Sequence, residues 1–306
     1  MISRLLPVPI LGVLSLTIFI LNTIFWCLLI YALVPLRLLA SPFPSFLKVV
    51  RGAMIWCAEN WISCNNWEMR WFTAAKWDIR GVENLDMNHS YLVCCNHQTW
   101  VDIVVLQKAF NRVIPFLRFF LKKQLIYVPM LGWAWWALDF PFMQRYSRSY
   151  LKRHPEKRGR DLETTRKACE RFQGSTISIL NFLEGTRFSE AKRLKSESPF
   201  THLLPPKTGG LAFTIDAMGR QFRSLINVTI FYPGGAKTFW DLICGRVKEV
   251  VVRIEEIPIP QELLAGNYQA DEYFRARLQA WVRSIWDRKD LLLTELAKKH
   301  AESGNG

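Results

Sequence analysis

No two of the seven cysteines stand at C-x-x-C spacing, and an odd number leaves at least one unpaired. This argues against a zinc ribbon and against a disulfide framework, and fits a domain in a reducing compartment. No G-x-S-x-G elbow is present to carry a serine nucleophile. Helix-turn-helix, zinc-finger and RNP patterns are missing too. Acids are few: 26 Asp and Glu against 40 Lys and Arg give a formal charge of +14. Such a balance points to an anionic partner, whether nucleic acid, phospholipid headgroups or a phosphorylated substrate. Charge of either sign is missing between Arg4 and Arg37.

That uncharged stretch, mostly Leu, Ile, Val and Phe over 10–34, exceeds the roughly 20 residues needed to cross a hydrocarbon core. It lacks the short apolar core and cleavage site of a secretory signal. It reads as an uncleaved anchor with Pro7, Pro9 and Pro35 near its ends, either crossing the bilayer or forming a hairpin within one leaflet. Arg37, Lys48, Arg51 and Arg70 follow it, which by the positive-inside rule places the bulk of the chain in the cytoplasm. Trp56, Trp61, Trp67, Trp71, Phe72 and Trp77 then crowd one segment, with Lys48, Arg51, Arg70 and Lys76 interleaved. Amphipathic helices at an anionic membrane interface would look like this, and so would a helix packed on the domain.

From about Lys76, short apolar or β-branched runs at 91–95, 140–143, 176–183, 225–232 and 247–257 read as strands. Helical patterns lie at 100–110, 161–172 and 208–218. A last helix begins near Asp271, with Phe274, Leu278, Trp281 and Ile285 on one face. Strands alternating with helices predict an α/β domain. The expected architecture is a mixed, partly parallel sheet flanked by helices, with an N-terminal transmembrane or membrane-embedded helical segment.

Two elements carry chemistry. Asn96-His97-x4-Asp102 follows a strand and opens a helix, so a turn can bring the carboxylate to one imidazole nitrogen. The other nitrogen is then left to take a proton from a hydroxyl. A structural histidine satisfied by its neighbours is the competing reading. Glu184-Gly185-Thr186-Arg187 also follows an apolar strand. There Gly185 permits close backbone approach and Arg187 offers a bidentate fork for phosphate. A Glu184–Arg187 ion pair at the strand end is the plainer alternative.

Together the two elements resemble the glycerophospholipid acyltransferase family, including the PlsC-like lysophosphatidate acyltransferases. Lys122-Lys123-Gln124-Leu125 with Pro129 and Gly132 is similar to the family's K-x-E-L-x3-P-x2-G region, with Gln124 replacing the usual Glu. Phe140-Pro141-Phe142-Met143-Gln144-Arg145 is similar to its F-[IV]-x-R block, with an unusual Pro141. Leu204-Pro205-Pro206-Lys207-Thr208-Gly209-Gly210 is similar to its L-x-P-[RK]-x-x-G form, more typical of the lysocardiolipin branch. The resemblance spans roughly residues 76–260.

It implies an anchor at 1–40, aromatic interfacial helices at 41–80 and an acyltransferase domain at 81–306, on the cytoplasmic face of a bacterial inner membrane. The implied reaction moves a fatty acyl group from acyl-CoA or acyl-carrier protein, as co-substrate, to the free hydroxyl of lysophosphatidate. Lysophosphatidylglycerol and lysocardiolipin are alternative acceptors. Neither cofactor nor metal is needed. His97 would be the general base and Asp102 its orienter, and oxyanion donors would come from N–H groups near Gly185. Arg145, Arg187 and Lys122, with Gly185, Thr186 and more weakly Lys207, would hold the acceptor phosphate, and Glu184 would orient Arg187 or the glycerol. The basic run from Arg148 to Arg160 would meet anionic lipid or donor phosphates. His89, His154, His202 and His300 lack motif context and read as surface residues. Oligomeric state is not legible. A membrane-tethered nucleic-acid-binding protein, or a silent scaffold with this fold, are the remaining classes.

Overall fold

The computed structural model describes residues 6–143, 175–264 and 271–304, with Arg153, Phe172 and Tyr268. Arg145, the rest of the basic run, and the helix expected at 161–172 (Phe172 apart) lie outside the described residues.

Two long helices come first. Helix α1 (Val8–Leu39) continues through Pro35 rather than stopping there, and α2 (Pro44–Phe72) starts on a proline whose missing N–H costs a first turn nothing. They lie side by side, joined by a polar seam in which Asn22 donates to Asn65 Oδ1 at 2.7 Å and Trp61 Nε1 donates to Thr23 Oγ1 at 3.1 Å. Only 22% of the most apolar window of α1 is buried, and Val13, Leu21, Phe25 and Leu28 are each more than half exposed. A core helix would not leave such a face uncovered.

The main sheet is built from β1 (Lys76–Arg80), β2 (Ser90–Cys95), β3 (Leu117–Phe119), β6 (Ser178–Asn181), β7 (Phe222–Phe231) and β8 (Glu249–Ile257), in the order β1-β8-β7-β2-β6-β3. All neighbours run parallel except β7 and β8. The sheet is therefore mixed and mostly parallel, as expected. Every residue of β2 is buried, which is why its sequence is continuously apolar rather than alternating. Leu92 and Cys94 face one way, against α6 (Gly209–Met218) and α8 (Glu272–Gly304). Tyr91, Val93 and Cys95 face the other, against α3 (Val101–Phe110), α7 (Phe239–Ile243) and Phe19 of α1. Each large apolar side chain fully buried in these layers stabilises the fold by roughly 1.5–3 kcal/mol.

Three expectations need correction. Strand β1 pairs with β8 from Lys76 onward, so the domain begins before the boundary expected at 81. Being half-exposed at the sheet edge, it has no continuous apolar run to betray it. The run at 140–143 supplies only β5 (Phe142–Met143), which pairs with β4 (Leu121–Lys122) in a separate two-stranded ribbon. On α8 the buried face passes through Val282 and Trp286, leaving Trp281 half-buried. Two shorter helices, α4 (Leu131–Ala137) and α5 (Glu190–Lys195), and three 3-10 turns at Lys123–Tyr127, Gly219–Gln221 and Gln261–Leu263 complete the described elements.

Candidate active site

Because β6, β2 and β7 are adjacent and parallel, their C-terminal ends emerge together, the usual place for a site in such sheets. The loop after the central strand β2 carries His97, the loop after β6 carries Glu184 to Arg187, and Tyr232 directly follows β7. The side chain of Asn96 extends the ladder where the strands part: its Nδ2 donates to the Ile230 carbonyl and its Oδ1 accepts from Ile230 N, both at 2.9 Å. This pins the residue before His97.

His97 Nδ1 lies 2.9 Å from Asp102 Oδ2. The same oxygen accepts from Gln98 N at 2.6 Å and Thr99 N at 2.9 Å, while Oδ1 accepts from the Tyr232 hydroxyl at 2.7 Å. Asp102 is wholly buried, and four donors around it satisfy a carboxylate that would otherwise be costly to desolvate. Since Oδ2 accepts from two fixed N–H groups, its acceptor character toward Nδ1 is set and the imidazole proton belongs on that side. Nε2 has no protein partner among the described residues. The ring stacks on Phe182, centroids 4.0 Å apart and planes 20° from parallel, and its side chain keeps 14% exposure. The structure therefore brings His97 and Asp102 into direct contact, as the spacing predicts.

Tyr232 was not expected, because it stands 130 residues from Asp102 in sequence. Burial first, and then the charge of Asp102, hold its hydroxyl protonated well above the ordinary tyrosine range. It is thus a permanent donor to the carboxylate. Tyr232→Phe removes one charge-assisted bond without moving the loop, so kcat is expected to fall about tenfold with KM unchanged. Steady-state kinetics on a variant with wild-type thermal stability tests this.

Glu184 behaves differently from expectation. It neither pairs with Arg187 nor faces open solvent. Its Oε1 accepts from His97 N at 2.8 Å and its Oε2 from Leu204 N at 3.0 Å, with 1% of the residue exposed. Burial pushes its carboxyl up to about 7, opposed by those two N–H groups and by Lys289. It ties three loops together. Gly185 adopts φ +69, and a Cβ there would meet Lys207 Cδ and Nζ at 3.2 Å, so Lys207 lies across this turn. Gly185 N already donates to Phe182 O at 2.9 Å, which removes it from the oxyanion donors, whereas Thr186 N and Arg187 N donate to no described group. Lys192 Nζ donates to Thr186 Oγ1 at 3.0 Å and to the Arg187 carbonyl at 2.7 Å. Arg187 lies over the exposed Trp100 ring, 5.2 Å from its centroid. Arg187, Lys192 and Lys207 thus gather three exposed cations around one turn beside His97. Lys122 sits apart on the β4–β5 ribbon and, among the described residues, bonds to neither loop.

An imidazole with one nitrogen against a buried carboxylate and the other without a partner among the described residues thus meets a basic rim at the C-terminal edge of a parallel sheet. Residues 76–232, just over half of the chain, match the Acyltransferase family, and the chain belongs to that family. The 1-acyl-sn-glycerol-3-phosphate acyltransferase gamma of Homo sapiens is 25% identical over 243 residues, 76% of this chain and 58% of that protein. The probable 1-acyl-sn-glycerol-3-phosphate acyltransferase 5 of Arabidopsis thaliana is 24% identical over 218 residues, 67% of this chain and 52% of its own length. The chain therefore spans little more than half the length of these curated relatives. The crystal structure of the 1-acyl-sn-glycerophosphate acyltransferase PlsC from Thermotoga maritima aligns with a TM-score of 0.47 and 16% identity, over 89% of this chain and 98% of that one.

Proposed function

We propose that this protein acylates the free hydroxyl of lysophosphatidate from acyl-CoA or acyl-carrier protein, giving phosphatidate at the bacterial inner membrane. The observation that carries the reading is the His97–Asp102 pair with Nε2 unpartnered beside the Arg187–Lys192–Lys207 rim. Nε2 takes the hydroxyl proton as the oxygen attacks the thioester carbonyl and a C–O bond forms. The tetrahedral oxyanion collapses, the C–S bond breaks, and the imidazolium returns the proton to the leaving thiolate. Thr186 N and Arg187 N are the candidate oxyanion donors.

The helical pair supports a site held at a lipid surface. Near its start α1 packs on α7, with Phe19 against Phe239 at 5.4 Å. Near its end the Tyr31 hydroxyl donates to the Met130 carbonyl and Arg37 pairs with Asp139 at 2.6 Å. A helix fastened to the domain at both ends does not carry that domain on one side of a bilayer while crossing it. The hairpin within one leaflet is therefore favoured over the spanning anchor, with the exposed apolar side chains of α1 and Trp56, Trp67 and Trp71 of α2 in lipid.

Arg187→Ala is expected to raise the acceptor KM about 10–100-fold, the worth of one charge-assisted phosphate contact, with a smaller change in kcat. Titrating the acceptor at saturating thioester checks it. The reading itself is tested by giving membranes containing the protein labelled oleoyl-CoA and a panel of lysophospholipids. Product from lysophosphatidate supports the assignment. Product chiefly from lysophosphatidylglycerol or lysocardiolipin keeps the chemistry and replaces the acceptor. No product from any acceptor, with CoA or carrier-protein thioesters, overturns it.

A further inference from the structure

Helix α8 lies wholly beyond the family-matched residues, yet it ends in the same hydrogen-bonded system as the catalytic histidine. Asp290 accepts from Thr201 N at 2.9 Å and from His202 N at 2.7 Å, one bond to each carboxylate oxygen. One turn earlier, Trp286 Nε1 donates to the Leu204 carbonyl at 3.1 Å. Leu204 N continues to Glu184, and the other oxygen of Glu184 holds His97 N. Between Trp286 and Asp290, Lys289 donates its Nζ to the Val228 carbonyl of β7 and lies over the Trp286 ring, 5.1 Å from the centroid. Positions 286, 289 and 290 fall on one face of a helix.

These groups are expensive choices for a packing face. Lys289 and Glu184 are each 1% exposed, and Trp286 is fully buried. Apolar residues of similar size would pack such positions with at least equal stability, since buried charges repay their desolvation poorly. What polar groups add is position: each bond in the series fixes a particular backbone group, and the last of them is His97 N. Resting on the acyl-transfer reading above, we propose that α8 is a brace for the catalytic loop, with Trp286, Lys289 and Asp290 acting as positioning residues that hold His97 through the 201–204 segment and Glu184.

The charge of Lys289 has a second effect. The groups acting on Glu184 are the His97 and Leu204 N–H donors, the Lys289 ammonium and the Asp102 carboxylate. Burial raises the carboxyl to about 7, and Lys289 opposes that rise. Removing the ammonium raises it further, so Glu184 holds its proton to higher pH. A protonated carboxyl is the poorer acceptor for two N–H groups. Activity that depends on this clamp then appears at higher pH.

The test compares the full-length wild type with Asp290→Asn, Trp286→Phe and Lys289→Met, in mixed micelles with oleoyl-CoA and lysophosphatidate. Asparagine keeps one strong acceptor of two, and phenylalanine keeps one aromatic ring but loses the pyrrole ring and its N–H. Both are expected to lower kcat about three- to tenfold with acceptor KM within about twofold. Lys289→Met should move the acid limb of the kcat profile upward. Hydrogen exchange is read on the same samples and does not depend on turnover: the amides of 97–99 and 201–204 should exchange faster in all three variants at unchanged global protection. Folded variants with wild-type kcat, acid limb and local exchange would overturn the brace. If Trp286→Phe does not fold, Asp290→Asn, whose side chain is only half-buried, decides. If the wild type transfers nothing, the acyl-transfer reading fails, while local exchange still decides whether α8 holds the loop.

Discussion

Replacing His97 with alanine is expected to lower kcat by about 10²–10⁴-fold, the range for a positioned general base. No second base is placed to take over among the described residues, since the exposed rim residues Arg187, Lys192 and Lys207 are cations. Glu184 is spent on two backbone N–H groups, and Asp102 is buried behind the ring. The fold should survive. Without the imidazole, Asp102 keeps Gln98 N, Thr99 N and the Tyr232 hydroxyl as donors, so no charge is orphaned. The stacked contact with Phe182 is the main packing loss. Single-turnover rates beside a thermal midpoint separate lost chemistry from lost structure. A variant with full activity would remove His97 from the mechanism.

Asp102→Asn should have the next largest effect, about 10²–10³-fold on kcat. The two backbone donors at the Oδ2 position will hold the amide oxygen there, so Nδ1–H keeps an acceptor and the ring keeps its orientation. The amide nitrogen then points at Tyr232, which must turn from donor to acceptor. What is lost is the negative charge that stabilises the imidazolium as the proton arrives. Such a loss of two to three powers of ten corresponds to about 3–4 kcal/mol. KM for both substrates should stay near wild type, and the double variant with His97→Ala should be no slower than His97→Ala alone, because base and orienter act as one unit. Additive losses would show that Asp102 contributes by another route.

Much of this was legible in the sequence. The run before Asn96 is apolar on both faces because β2 is central and covered on both sides, and the five-residue spacing of His97 and Asp102 suits the turn into α3. What escaped has a common cause. Tyr232 meets Asp102 only through the parallel pairing of β2 with β7, and register between distant strands is not written in either strand. The sequence points Glu184 toward Arg187 because a sequence displays side chains as partners, whereas both of its partners are backbone N–H groups. Lys289 looks like surface charge on an amphipathic helix until Val228 O and the Trp286 ring are seen to enclose it. Likewise α1 is apolar enough to cross a membrane, but only its contacts at both ends show that it runs along the domain. Arg145 lies outside the described residues, so its part in phosphate binding rests on the motif alone.

The proposed transfer requires direct attack of the acceptor hydroxyl on the thioester. The decisive measurement gives the purified protein acyl-labelled oleoyl-CoA with and without lysophosphatidate, and follows free thiol, labelled lipid and label on the protein. Direct transfer predicts thiol release only when acceptor is present, mole for mole with labelled phosphatidate, and no label on the protein. A burst of thiol without acceptor, matched by acyl groups on the chain, would contradict it and require an enzyme nucleophile in place of His97 as base.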